Sequence, residues 1–149
     1  MKPSLPLFLI AVVGTGWLTG YVNMLGDWYA ALAKPPFNPP GWVFGPVWTL
    51  LYILIAIAGW RTWHAAGFGR PFQLWLAQMA LNFLWSPVFF TLHRMDLALA
   101  ILLLMLGCIA AFSLSRWNTD RTSALLFLPY AAWVTFAGVL NASLLYLNS

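Results

Sequence analysis

The stretch DLALAILLLMLGCIAAFSLSR, residues 96–116, carries no charge between its first residue and its last. As a helix it is long enough to cross the roughly 30 Å hydrocarbon core of a bilayer, and no water-facing surface can be built from it. Breaking the rest of the chain at its polar, Gly and Pro clusters gives four more such runs. The sequence therefore predicts five spans, over residues 5–25, 42–62, 71–91, 96–116 and 124–147. All are read as helices, because a span in lipid must satisfy its own backbone hydrogen bonds. Strands of a small barrel would alternate apolar and polar residues, whereas these runs are apolar on every side. Only 7% of the 149 residues are charged, against about 25% in a soluble domain. The expected fold is an all-α membrane protein, a five-transmembrane-helix bundle forming one domain over residues 1–149. Its one long connection is residues 26–41. A cleavable leader is not expected, since the first run lacks a small-residue cleavage site and carries Trp17 and Tyr21.

The net charge of +4 is explained by loop residues that set membrane orientation. Lys2, Arg61, Arg70, Arg116 and Arg121 fall on one side of the predicted topology, Lys34 and Arg94 on the other. This asymmetry places the N-terminus in the cytoplasm and the long loop outside. No basic face exists apart from these loops, so nucleic acid is not an expected partner. Cys108 stands alone and reads as a small buried hydrophobe. Small residues recur at four-residue spacing, as Gly16 and Gly20, and as Gly107, Ala111 and Ser115. They predict close helix contacts within the bundle, or between the subunits of a homodimer.

Conventional reaction chemistry is missing. The chain has no Glu, and Asp27, Asp96, Asp120, His64 and His93 all fall at span ends or in loops. Paired carboxylates, a nucleophile beside a histidine and a metal-binding cluster are absent. Coupled transport normally requires ionisable groups inside the membrane. No catalytic residues, metal or required cofactor are assigned on these grounds.

Aromatics and amides take their place. The chain has ten Trp. Trp28, Trp42, Trp60, Trp63 and Trp117 lie near span ends, where amphipathic rings are favoured. Trp48, Trp85 and Trp133 lie deeper, where an indole N–H needs a partner that lipid does not offer. They are expected to face inward. Gln78, Asn82 and Trp85 share one face of the third span, Trp133 and Asn141 one face of the fifth, and Trp48 and Tyr52 one face of the second. At about 1.5 Å per residue, Trp48, Asn82 and Trp133 lie roughly 9, 13 and 20 Å in from the first-loop side. They would line one cavity, with aromatic walls and a few polar points suited to a flat, largely apolar ligand. The stiff PPFNPP segment, residues 35–40, would then form a lid over its mouth. Pro39 and Pro40 would open the second helix, and Pro87 would kink the third beside Asn82 and Trp85.

Three segments, KPPFNPPGWVFGPVWTLLY (34–52), QMALNFLWSPVFF (78–90) and PYAAWVTFAGVLN (129–141), together resemble the translocator protein family, also called tryptophan-rich sensory proteins or peripheral benzodiazepine receptor-like proteins. The family pattern is met by Pro39, Pro40, Phe44, Val47, Trp48, Leu51 and Tyr52. DWYAAL, residues 27–32, is similar to the family's segment after the first span. The resemblance implies a five-helix bundle, often dimeric, that binds porphyrins, sterols and synthetic aromatic drugs in a cavity near the first loop. Trp48, Asn82, Trp85 and Trp133 match positions lining that cavity, and Tyr29 matches the lid-loop tyrosine. The expected ligand is thus a porphyrin-like molecule, protoporphyrin IX or haem. The alternatives are light-dependent breakdown of protoporphyrin, for which positions matching Trp48 and Trp133 matter, and transport of tetrapyrroles or sterols across the membrane. Phe37 stands where many members have Trp. Tyr146 is followed by Leu-Asn-Ser rather than the basic residue of the animal sterol-recognition pattern, which points to a bacterial-type member.

Overall fold

The computed structural model describes residues 4–23 and 26–149. Lys2, counted in the charge asymmetry, and Leu25, which closes the first predicted span, lie outside the described residues. The described residues form helices joined by turns and loops and include no strand. Helix α1 is Leu5–Val22 and α2 is the short Asp27–Ala31. A 3₁₀ turn, Gly41–Val43, leads into α3, Phe44–Ala66. Then come α4, Arg70–Ser86, α5, Met95–Arg116, α6, Arg121–Leu126, and α7, Leu128–Leu147.

Proline and glycine set most of these boundaries. Pro39 and Pro40 precede the 3₁₀ turn, and the carbonyl of Pro40 accepts from Val43 N–H at 3.1 Å. Pro46 lies in the first turn of α3, where its missing N–H has no partner to lose. Helix α3 stops at Gly67, whose φ of +61° is open to glycine at little steric cost. The kink expected at Pro87 takes the form of one π turn, Pro87–Thr91. Its wide ring closes where Leu92 N–H donates to the Pro87 carbonyl at 2.9 Å. The fifth predicted span is divided at Phe127 into α6 and α7. Pro129 explains the break, since it has no N–H to offer the carbonyl one turn back.

Among the described residues, four stretches are long and apolar enough to cross a bilayer: Leu5–Val22, Gly41–Ala66, Met95–Arg116 and Arg121–Leu147. The third predicted span is not among them. Helix α4 is 17 residues long before the π turn, and Arg70, Gln73, Gln78 and Asn82 dilute its apolar character.

Around the bundle, α1 packs on α3, α3 on α6 and α7, α7 on α5, α5 on α4, and α4 back on α1. The end away from the first loop is packed shut. Phe112 and Phe127 stack with ring centroids 4.3 Å apart, and Ile55, Ala58, Ile109 and Ala124 are fully buried around that layer. A Cβ on Gly59 would stand 2.3 Å from the Trp75 ring, so only glycine lets α3 and α4 approach this closely. Asp120 fastens the same end. It accepts from Arg61 Nη2 at 2.9 Å and Nε at 3.2 Å, faces Arg116 Nη2 at 3.6 Å, and caps α6 through Ser123 N–H. Burial pushes its carboxyl upward, but the hydrogen bonds from Arg61 and Ser123 outweigh this and hold it at about 2.

Candidate functional site: a lidded aromatic chamber

At the first-loop end the helices part around a chamber of about 490 Å³, within the range of small-molecule sites. Helix α3 supplies Phe44, Trp48 and Tyr52, and α4 with its π turn supplies Asn82, Trp85, Phe89 and Phe90. Leu102 and Met105 come from α5, and Trp133 and Asn141 from α7. The five residues singled out from sequence, Tyr29, Trp48, Asn82, Trp85 and Trp133, all lie on this one wall. Trp48 and Trp133 meet edge to face at 6.5 Å and 88°, and Phe44 closes on Trp133 at 6.0 Å. Such perpendicular contacts are favourable for aromatic quadrupoles and leave flat faces open between them.

The first loop contributes Tyr29 and Asn38 to the lining, and its attachments are specific. Trp28 of α2 stacks on His93 at 4.1 Å and 8°. Tyr29 sits edge-on to Phe90 at 5.6 Å, and its hydroxyl lies 3.5 Å from Asn38 Oδ1. Lys34 folds back over the Tyr29 ring, its Nζ 4.8 Å from the centroid. From there it donates to the carbonyls of Tyr29, Ala30 and Leu32 at the end of α2. Lys34 thus caps a helix five residues long. A reciprocal amide pair ties the loop to the far end of the chain. Ala33 N–H donates to Asn148 Oδ1, and Asn148 Nδ2 donates back to the Ala33 carbonyl, both at 2.9 Å.

The polar groups of the wall are largely engaged with one another. Asn82, expected as a polar anchor, is the middle of a buried chain. Tyr52 Oη donates to its Oδ1 at 2.9 Å, and its Nδ2 donates to Tyr130 Oη at 2.6 Å. Trp85 Nε1 donates to Asn141 Oδ1 at 3.1 Å, and Asn141 Nδ2 donates to the Met95 carbonyl at 2.9 Å. Trp133 differs. Its Nε1 is buried without a hydrogen-bond partner, an arrangement that normally carries a cost.

Sequence reasoning missed Tyr130, which is completely buried behind the chamber and joins Asn82 to Gln78. Its signal was present, since a tyrosine hydroxyl within an apolar span requires a partner. Gly16 was singled out for close helix contact, and a Cβ there would stand 2.3 Å from the Tyr52 ring. Gly20 and Gly107 face open space instead. Among the described residues no cluster of His, Cys, Asp and Glu is arranged to hold a metal ion.

The sequence pattern of the TspO/MBR family matches residues 7–147. The chain is 39% identical to the tryptophan-rich sensory protein of Cereibacter sphaeroides over 148 residues, covering 99% of this chain and 94% of that one. It is 39% identical to protein CrtK of Rhodobacter capsulatus, covering 97% and 94%. It is 40% identical to the translocator protein of Homo sapiens over 119 residues, covering 76% and 70%. With four spans long and apolar enough to cross a bilayer, these likenesses make the chain an integral membrane protein of the sensor and translocator type.

Proposed function

This chain belongs to the TspO/MBR family, and from that premise we propose that it is a membrane receptor or sensor for porphyrin-type tetrapyrroles. The observation that carries the reading is the chamber itself: about 490 Å³, walled by Trp48, Trp85, Phe89 and Trp133, with Tyr29 and Asn38 of the first loop at its edge. A flat macrocycle would lie in the chamber against the indoles of Trp48 and Trp133. Tyr29 would close above it. The chemistry asked of the protein is binding, orientation and exclusion of water, which needs no charged side chain on the wall.

Two finer features belong to the same proposal. Helix α4 and its π turn act as a fifth span, since residues 70–91 rise about 33 Å as helix. The Arg61, Arg116 and Arg121 end faces the cytoplasm, by the excess of basic residues there.

The test is protoporphyrin IX titrated in the dark into purified protein, followed by tryptophan fluorescence, beside Trp133→Leu. Saturable quenching at micromolar ligand or below, weakened at least tenfold by the substitution, is expected. Linear quenching of equal slope in both proteins would mean partition into detergent and would overturn the reading. Illumination of the saturated complex then separates a receptor from a light-dependent catalyst. A receptor returns the porphyrin intact, whereas a catalyst accumulates product that depends on Trp48 and Trp133.

A further inference from the structure

A single backbone group fixes the direction of every hydrogen bond in the chain behind the chamber. The carbonyl of Trp75 can only accept, so Gln78 turns its Nε2 toward it at 2.8 Å. Gln78 Oε1 therefore faces Tyr130, whose hydroxyl must donate, at 2.7 Å. Met105 Sδ, 3.5 Å from the same hydroxyl, is the weaker acceptor. With its proton committed, Tyr130 Oη accepts from Asn82 Nδ2 at 2.6 Å. Asn82 Oδ1 then faces Tyr52, which must donate in turn, at 2.9 Å. Turning any one amide around would set acceptor against acceptor in a region where Gln78 and Tyr130 are fully buried.

The two ends of this chain lie in different surroundings. Gln78 and Tyr130 stand behind the wall, while Tyr52 and Asn82 are part of it. The Tyr52 proton is spent on Asn82, so the remaining lone pair of Tyr52 Oη is an acceptor at the chamber surface.

We infer that the chamber favours ligands carrying an O–H or N–H donor on the edge that reaches Tyr52, over ligands of equal shape carrying only an acceptor there. Gln78 sets that preference without touching the ligand. It is a positioning residue that fixes the polarity of a wall it does not line. This inference rests on the chamber being a site for flat apolar ligands and adds its chemical selectivity.

The matched probes 1-hydroxypyrene and 1-methoxypyrene differ in this one respect, and both report binding by energy transfer from tryptophan. At neutral pH the wild-type protein is expected to bind the hydroxyl compound roughly fivefold to tenfold more tightly, the scale of one net hydrogen bond. In Gln78→Met the anchor is gone, Asn82 is free to turn, and the ratio should fall below about twofold with saturable binding retained. Gln78→Glu, neutral in so dry a position, again bonds the Trp75 carbonyl through its O–H and should restore the ratio. Should Gln78→Met fail to fold, Tyr130→Phe makes the same cut one link nearer the chamber. Equal affinities in the wild type, or a preference unchanged by Gln78→Met or Tyr130→Phe, would overturn the inference while leaving the chamber as a binding site. Failure of both pyrenes to saturate the wild type would overturn the ligand-chamber reading with it.

Discussion

The two ends of this bundle solve the same problem in opposite ways. Each brings polar groups together within a largely apolar helix bundle. At the closed end the groups are ionic, with Arg61 and Arg116 both turned toward Asp120. At the first-loop end they are neutral hydroxyls and amides, bonded in relay from Tyr52 to the Trp75 carbonyl, and the space beside them is hollow. Charge fastens helices but binds water and counter-ions; a neutral relay satisfies itself and leaves an apolar chamber dry. The division lets one end hold the helices in place while the other stays open to a ligand.

The largest expected effect comes from breaking the closed end. Asp120→Ala strands Arg116, a buried guanidinium, and should cost about 3 kcal/mol, read as a lower thermal midpoint in detergent. Gly59→Ala, also at that end, drives a methyl group into the Trp75 ring and should cost about 2 kcal/mol. A smaller effect follows from acid. Asp120 is held at about 2 in the folded chain, below the roughly 3.9 of an unfolded aspartate. Its contribution is therefore complete above about pH 4 and is lost as pH falls toward 2. With Arg61 partly exposed, the loss should be about 1 kcal/mol, and Asp120→Asn should flatten this part of the pH profile.

At the hollow end the expected changes are in ligand binding more than in folding. Gly16→Ala presses on the Tyr52 ring and should weaken protoporphyrin binding severalfold by displacing the head of the relay. Asn148→Ala removes both bonds to Ala33 and should cost less than about 1 kcal/mol of stability. Its signature would be faster ligand release in stopped flow, because the lid loses its tether to α7. Slower or unchanged release would contradict the role of that tether.

The sequence made the membrane, the helices and the aromatic wall legible for one reason: the bilayer permits few alternatives. Trp48, Asn82, Trp85 and Trp133 could be placed in one cavity from helical rise and the demand of each N–H for a partner. What stayed hidden depends on pairings between helices. Periodicity could not say that Tyr130 bonds Gln78, that Trp85 spends its donor on Asn141, or that Asn148 returns to Ala33. Each bond joins residues 50 or more positions apart. The break of the fifth predicted span at Phe127 was not foreseen, because Pro129 lies within an apolar run and hydropathy does not register a missing N–H. The kink expected in the third at Pro87 is present, but sequence could not give its form, a backbone widened into a π turn. That turn places Phe89 and Phe90 against Trp85 and Tyr29, so it belongs to the chamber as much as to the helix.

The most direct measurement compares thermal midpoints with and without protoporphyrin IX in the wild type, Asp120→Asn and Trp133→Leu. If the closed end holds and the hollow end binds, Asp120→Asn melts earlier yet keeps the ligand-induced rise. Trp133→Leu then melts within a few degrees of the wild type and loses that rise. Loss of the rise in Asp120→Asn, or its persistence in Trp133→Leu, would contradict the division of labour between the two ends.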